Sequence, residues 1–165
     1  MLKKIISGSQ NGADIAGLIV AKEYGLETGG WMPKGFITQS GPHPDWAEQY
    51  NLQEHTSPKY SPRTFANVRD SDGTVIFAFD FNSAGERCTM KAIEQYKKPH
   101  IDVNLNEQFI KVDAVAEWIE RYNIEVLNIA GNSERTYSGT TGEVMEFLYK
   151  LFEKLGFEKQ NEEEK

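Results

Sequence analysis

Between Lys3 and Ala21 an apolar run, Ile5-Ile6, gives way to Ser7-Gly8-Ser9-Gln10-Asn11-Gly12 and then to a helical pattern that begins at Ala13-Asp14. The order is that of a strand, a tight glycine-bearing turn and a helix. The two glycines permit turn conformations, and a close approach of ligand to backbone, that a side chain would obstruct. Amides left unpaired at the start of the helix, together with its dipole, favour an anion such as a phosphate. Gly8, Ser9, Gln10, Asn11, Gly12 and Asp14 are therefore candidate binding residues. Asp14 either complements the helix dipole or holds a ligand hydroxyl. The stretch has neither the Gly-Lys-Ser/Thr ending of the Walker loop nor the three spaced glycines of the dinucleotide fingerprint. A strand-to-helix turn also favours Gly, Ser and Asn for conformational reasons alone.

The helix expected from Gly12 to Tyr24 is apolar nearly all round, with Ala13, Ala16, Gly17, Val20 and Tyr24 on one face and Ile15, Leu18 and Ile19 on the rest. Such a helix is buried against a sheet. Gly25 ends it. Thr74 to Phe79 reads as a strand buried on both faces, as central parallel strands are. Further strands are expected at His100–Val103 and Glu125–Ala130, with a short or edge strand within Leu26–Met32. Helices are expected from Ser61, with Pro62 at the first helical position, to about Arg69; from Gly85 to Tyr96; from Val112 to Tyr122; and along Val144, Phe147, Leu148, Leu151, Phe152 and Leu155. Regular alternation of strand and helix predicts a parallel sheet with helices on both faces and right-handed crossovers. The expected fold is a single Rossmann-like, doubly wound α/β domain over residues 1–157, followed by a charged tail, 158–165, with little to bury. Phe36 to Tyr60 is broken by Pro42, Pro44 and Pro58 and carries His43, Trp46 and Tyr50. A connection of that length reads as a binding loop or lid.

A chain of 165 residues suits one domain. No apolar run is long enough to span a membrane and the start lacks a signal-peptide core, so a cytoplasmic location is expected. Cys88 is the sole cysteine, which excludes an internal disulfide framework, and His43, His55 and His100 lack metal-ligand spacing. A net charge of -7 argues against nucleic acid as the main partner.

Ligands of doubly wound sheets bind beyond the carboxyl ends of the strands, where the strand order reverses. The segments expected there are Gly8–Asp14, Trp31–Gly35, Asp80–Thr89 and Gly131–Thr141, all rich in glycine, hydroxyls or amides. They add Gly30, Gly35 and Gly131 as backbone contacts, Trp31 as a wall for a flat heterocycle and Lys34 as a positioned cation. Ser83, Gly85 and Thr89 form a second helix-start anion seat. Asn67, Arg69, Asp70, Ser71 and Asp72 precede the central strand and fall at its amino end unless the helix before them folds over the cleft. No nucleophile with an adjacent base stands out, and nothing local marks a shifted pKa at Asp14, Asp70 or Glu86. Binding is better supported than turnover.

Four blocks, Ile6 to Asp14, Thr28 to Gly35, Asn67 to Thr74 and Leu127 to Gly131, together resemble the family named putative molybdenum carriers. That family is similar to molybdenum cofactor carriers and related to the lysine-decarboxylase-like phosphoribohydrolases. The likeness runs from Ile5 to about Leu151. Ser9 and Asn11 stand where the family pattern has a glycine and a threonine, and Gly85-Glu86 precedes Thr89 where the family has Gly-Thr. The resemblance implies a homo-oligomeric carrier or binder of a phosphate-bearing pterin, the molybdenum cofactor, or of a nucleotide. The alternatives are a phosphoribohydrolase-like enzyme, whose Pro-Gly-Gly-x-Gly-Thr-x-x-Glu signature this chain lacks, and an interaction module with a vestigial pocket.

Overall fold

The computed structural model describes residues 1–107 and 111–161. In chain order the elements are β1 (Lys4–Ile6), α1 (Ala13–Glu23), β2 (Glu27–Gly29), β3 (Trp31–Met32), β4 (Ile37–Thr38), β5 (Gly41–Pro42), α2 (Pro44–Tyr50), β6 (Gln53–Glu54), α3 (Tyr60–Asp70), β7 (Gly73–Ala78), α4 (Ala84–Tyr96), β8 (His100–Asn104), a 3-10 turn, α5 (Val112–Arg121), β9 (Val126–Gly131) and α6 (Thr140–Lys154).

Five strands form an all-parallel sheet in the order β2-β1-β9-β7-β8. Counted from β9, this is 3-2-1-4-5, the doubly wound order with its first strand and helix moved to the end of the chain. The last strand in sequence is thus the middle strand in space. α1, α5 and α6 cover one face, and α3 and α4 the other. β7 is buried at all six positions, which is why its side chains are apolar in succession rather than alternately.

α1 lies close on the sheet because Gly17 faces Ile129, where a Cβ would come within 2.9 Å of the isoleucine side chain. α6 buries Val144, Phe147, Leu148, Leu151 and Phe152 against α1, α5 and the sheet. Each such side chain contributes about 1.5–3 kcal/mol by leaving water. The expected tail is held as far as Gln160, whose N–H donates to Glu23 O at 2.8 Å; residues 162–165 lie outside the described residues.

Two local expectations change. α3 starts at Tyr60, one residue before the expected Ser61 cap, so Pro62 falls within the first turn, where its missing N–H breaks no helical bond. Phe36–Tyr60 is built rather than plain loop: β4 and β5 form a hairpin, α2 starts on Pro44, and β6 pairs parallel with β3. No described helix is long and apolar enough to cross a membrane.

Candidate ligand site

A cavity of about 460 Å³ opens at the carboxyl edge of the sheet, over the end of β9 from Asn128 to Gly131 and beneath the first turns of α3 and α4. Its volume lies in the range of small-molecule sites. A helix that precedes a parallel strand runs against it and so begins at the carboxyl edge. That is why Tyr60, Ser61, Arg63 and Thr64 of α3 reach a site that the residues just before β7 do not dominate. Cys88 Sγ meets Ser61 Oγ at 3.5 Å, joining α3 to α4 at the cavity wall.

Of the helices that start at this edge, α1, α3, α4 and α6 begin beside the cavity, and two of these amino ends are closed from within. At α1, Ala13 N donates to Asn132 O at 3.2 Å and Gly12 pairs with Ser133. Gly12 holds φ of 118°, and a Cβ there would collide with Asn132 O. The anion seat expected on α1 is therefore closed by the chain that follows β9. At α6, the Glu134 carboxylate accepts Gly139 N at 2.7 Å, Thr141 N at 2.8 Å and Thr141 Oγ1 at 3.1 Å. Burial pushes Glu134 upward, but the Thr141 and Gly139 amides outweigh it and hold the carboxyl below its ordinary value. α3 and α4, in contrast, have no side-chain cap, and Ser61 and Ser83 to Glu86 line the cavity. The amides of Ser61, Ala84 and Gly85, for which no partner occurs among the described residues, and two dipoles thus point at one space.

Charge inside the cavity is mixed. Arg63 Nη1 lies 3.4 Å from Asp14 Oδ2, with 13% and 10% of the two side chains exposed. Gln10 N also reaches Asp14 Oδ2, at 3.4 Å, and Ser7 Oγ donates to Asp14 O at 2.8 Å. Burial raises the Asp14 carboxyl, and Arg63 opposes that rise. Glu86 is only 4% exposed. Burial pushes it up to about 7, the Asp14 and Asp80 carboxylates add to the rise, and its own backbone N–H and the Asn132 amide counter it. Two shifted carboxyls in one cleft correct the expectation that nothing there perturbs a pKa.

Gly8, Gln10, Asn11, Asp14, Ser83, Gly85, Thr89 and Gly131 all line this cavity. Ser9 and Gly12 belong to the same turn but face the protein interior, Ser9 being fully buried and at φ of 57°. Gly30, Trp31, Lys34 and Gly35 lie elsewhere. Gly30 packs on the Ser7 backbone. The Trp31 Nε1–H donates to Asp70 Oδ2 at 2.7 Å, so the indole edge is engaged by the end of α3 rather than facing the cavity. Lys34 is exposed on a turn where its N–H donates to Ser57 O at 2.8 Å, and Gly35 N donates to Glu54 Oε2 at 2.7 Å.

Arg63, Glu86 and Asn132, with Ser61 and Ala84, are among the lining residues that sequence reading did not assign to the site. The Ser61-Pro62-Arg63 helix start, combined with the direction of a helix before a parallel strand, would have found the first. Asn132 shapes the floor: its Oδ1 accepts Phe79 N at 2.7 Å and Asp80 N at 3.2 Å, and its Nδ2 donates to Asp80 O at 3.0 Å.

A nucleophile beside a base also forms, contrary to expectation. Ser40 Oγ lies 2.7 Å from His43 Nε2, and His43 Nδ1 lies 3.3 Å from Asp45 Oδ1. The Asp45 side chain is 67% exposed, so solvent screens its hold on the imidazole, and the chain of bonds is a surface one. Among the described residues no three His, Cys, Asp or Glu side chains gather to hold a metal ion.

The order 3-2-1-4-5 and a cavity at its reversal define a permuted, Rossmann-like ligand-site protein. The chain belongs to the circularly permutated YpsA SLOG family, whose model matches residues 5–152. A crystal structure of a protein from Syntrophus aciditrophicus SB, named "putative molybdenum carrier protein", is similar at 38% identity and a TM-score of 0.83, over 91% of this chain and 94% of that one. No curated protein matches the chain.

Proposed function

We propose that this chain is a non-catalytic binding protein for a small phosphate-bearing ligand, either a pterin of the molybdenum-cofactor type or a nucleotide. The observation that carries the reading is the convergence of the uncapped amino ends of α3 and α4 on one cavity at the strand-order reversal. The phosphate takes the unpaired amides of Ser61, Ala84 and Gly85. The flat or hydroxylated part lies over Asn128 to Gly131, beside Asp14, Arg63 and Glu86. The name carried by the Syntrophus aciditrophicus protein supports the pterin branch. A pterin phosphate suits the donors and acceptors present, and in that branch the protein grips the organic and phosphate portions of the cargo. The proposal includes a cytoplasmic location and a homo-oligomer, of which light scattering on the purified chain tests the second.

Native purification, denaturation, and mass spectrometry with metal analysis of what is released test the ligand. A phosphorylated pterin or a nucleotide in near-stoichiometric amount is the expected result. A reproducibly empty protein that is not stabilised by any member of a pterin and nucleotide panel contradicts it.

Glu86 favours one second reading, cleavage of a nucleotide N-glycosidic bond. A buried carboxyl that titrates near neutrality is suited to exchange a proton with a leaving base. Base release from nucleoside monophosphates that disappears in Glu86→Gln would move the assignment to this branch.

A further inference from the structure

The inner wall of the cavity keeps polar groups that the protein does not satisfy. Gln10 is 8% exposed and lines the cavity. Its Nε2 donates to Ile37 O at 3.1 Å and to Gly8 O at 3.5 Å, which fixes the amide and leaves Oε1 a buried acceptor without a donor. Arg63 Nε is a buried donor without an acceptor among the described residues, because the guanidinium reaches Asp14 through Nη1 alone. Asp14 in turn accepts only at Oδ2 among the described residues. Polar groups left in this state lose their hydration and regain it only from a partner.

The partner these groups call for donates and accepts on neighbouring atoms and carries no negative charge, since Asp14 Oδ1 and Gln10 Oε1 would repel an anion. Two adjacent hydroxyls meet that description. We infer that the ligand carries a ribose-type cis-diol, whose hydroxyls donate to Gln10 Oε1 and Asp14 Oδ1 and accept from Arg63 Nε. The inference rests on the proposed binding of a phosphate-bearing ligand in this cavity and narrows that ligand to a ribonucleoside phosphate.

Isothermal titration of the full chain with the four ribonucleoside 5′-monophosphates, their 2′-deoxy counterparts and ribose 5-phosphate provides the test. At least one ribonucleotide is expected to bind tenfold or more tightly than its deoxy counterpart. Asp14→Asn and, separately, Gln10→Met should shrink that ratio to within about twofold by weakening the ribonucleotide alone. Circular dichroism confirms that each variant is folded, and either one suffices. Equal binding of ribo and deoxy forms overturns the diol, as does a ratio that survives both substitutions. Release of a ribose-free pterin from the native protein overturns the diol and leaves the binding reading intact. Binding of neither nucleotide nor pterin removes both.

Discussion

Both ends of the Asn67 side-chain amide hold the backbone of Trp31: Trp31 N donates to Oδ1 at 2.8 Å, and Nδ2 donates to Trp31 O at 3.1 Å. Asn67 is 2% exposed and sits on α3, so this clasp fixes β3 to the helix that carries Arg63. Asn67→Ala leaves a backbone donor and acceptor without partners, at about 1–3 kcal/mol for each that cannot reach water. A loss of at least about 2 kcal/mol is expected in urea unfolding. A loss below about 0.5 kcal/mol would mean that water replaces the amide.

Gly8 tests the position of Arg63. A Cβ on Gly8 would overlap the guanidinium, which is the far end of a flexible side chain and can swing aside. Gly8→Ala should therefore remain folded by circular dichroism while it parts Arg63 from Asp14, loses about 1–3 kcal/mol for the buried group left unpaired, and weakens ligand binding tenfold or more. Unchanged affinity in a stable variant would place Arg63 outside the binding apparatus.

Gly131 gives the contrasting outcome. It holds φ of 152° and backs onto Phe77 O, a backbone atom that cannot swing aside. Gly131→Ala should cost about 2 kcal/mol or more through strain and collision with the neighbouring strand. Thermal unfolding measures it, at roughly 2–4 °C per kcal/mol for a chain of this size. A Tm within 1 °C of wild type, roughly a quarter to half of one such step, would show that β9 can relax there.

Glu86 sets a pH dependence of stability. Its carboxyl moves from 4.5 to about 7 on folding, so the folded protein binds this proton more tightly than the unfolded chain. Stability is then greatest below the unfolded value, falls as pH rises from 4.5 to about 7, and is level above. Glu86→Gln should match wild type at pH 4 and exceed it at pH 8 by at least about 1 kcal/mol. An anion placed beside Glu86 should also be bound with proton uptake near neutrality, which calorimetry in buffers of different ionisation enthalpy detects. Equal stability of variant and wild type at both pH values would show that water reaches the carboxyl.

The helices α1 and α6 and the strand β7 were legible because each carries its burial in its own spacing. Ile15, Leu18 and Val20 surround α1, Val144 to Phe152 stripe α6, and β7 is apolar throughout. Strand order was not legible, since local pattern gives alternation but does not say that the last strand inserts between the first and β7. The same insertion explains why the glycine turn at Gly8 to Gly12 misled. Its helix start looks open in sequence, and Asn132 and Ser133, more than a hundred residues on, close it. Trp31 and Asp70 meet each other, and their blocks form the clasp on α3, from which Asn67 alone also lines the cavity.

The proposed function puts the ligand's anion at the amino ends of α3 and α4 and not at those of α1 and α6. Amide chemical-shift mapping of the 15N-labelled chain, titrated with inorganic phosphate and with adenosine 5′-monophosphate, distinguishes these positions. Saturable shifts greatest at Ser61, Ala84, Gly85 and Glu86, with Ala13, Gly139 and Thr141 unmoved, are the predicted result. Shifts greatest at Ala13 and Asp14, or at Gly139 and Thr141, or no saturable shift with either probe, would contradict it.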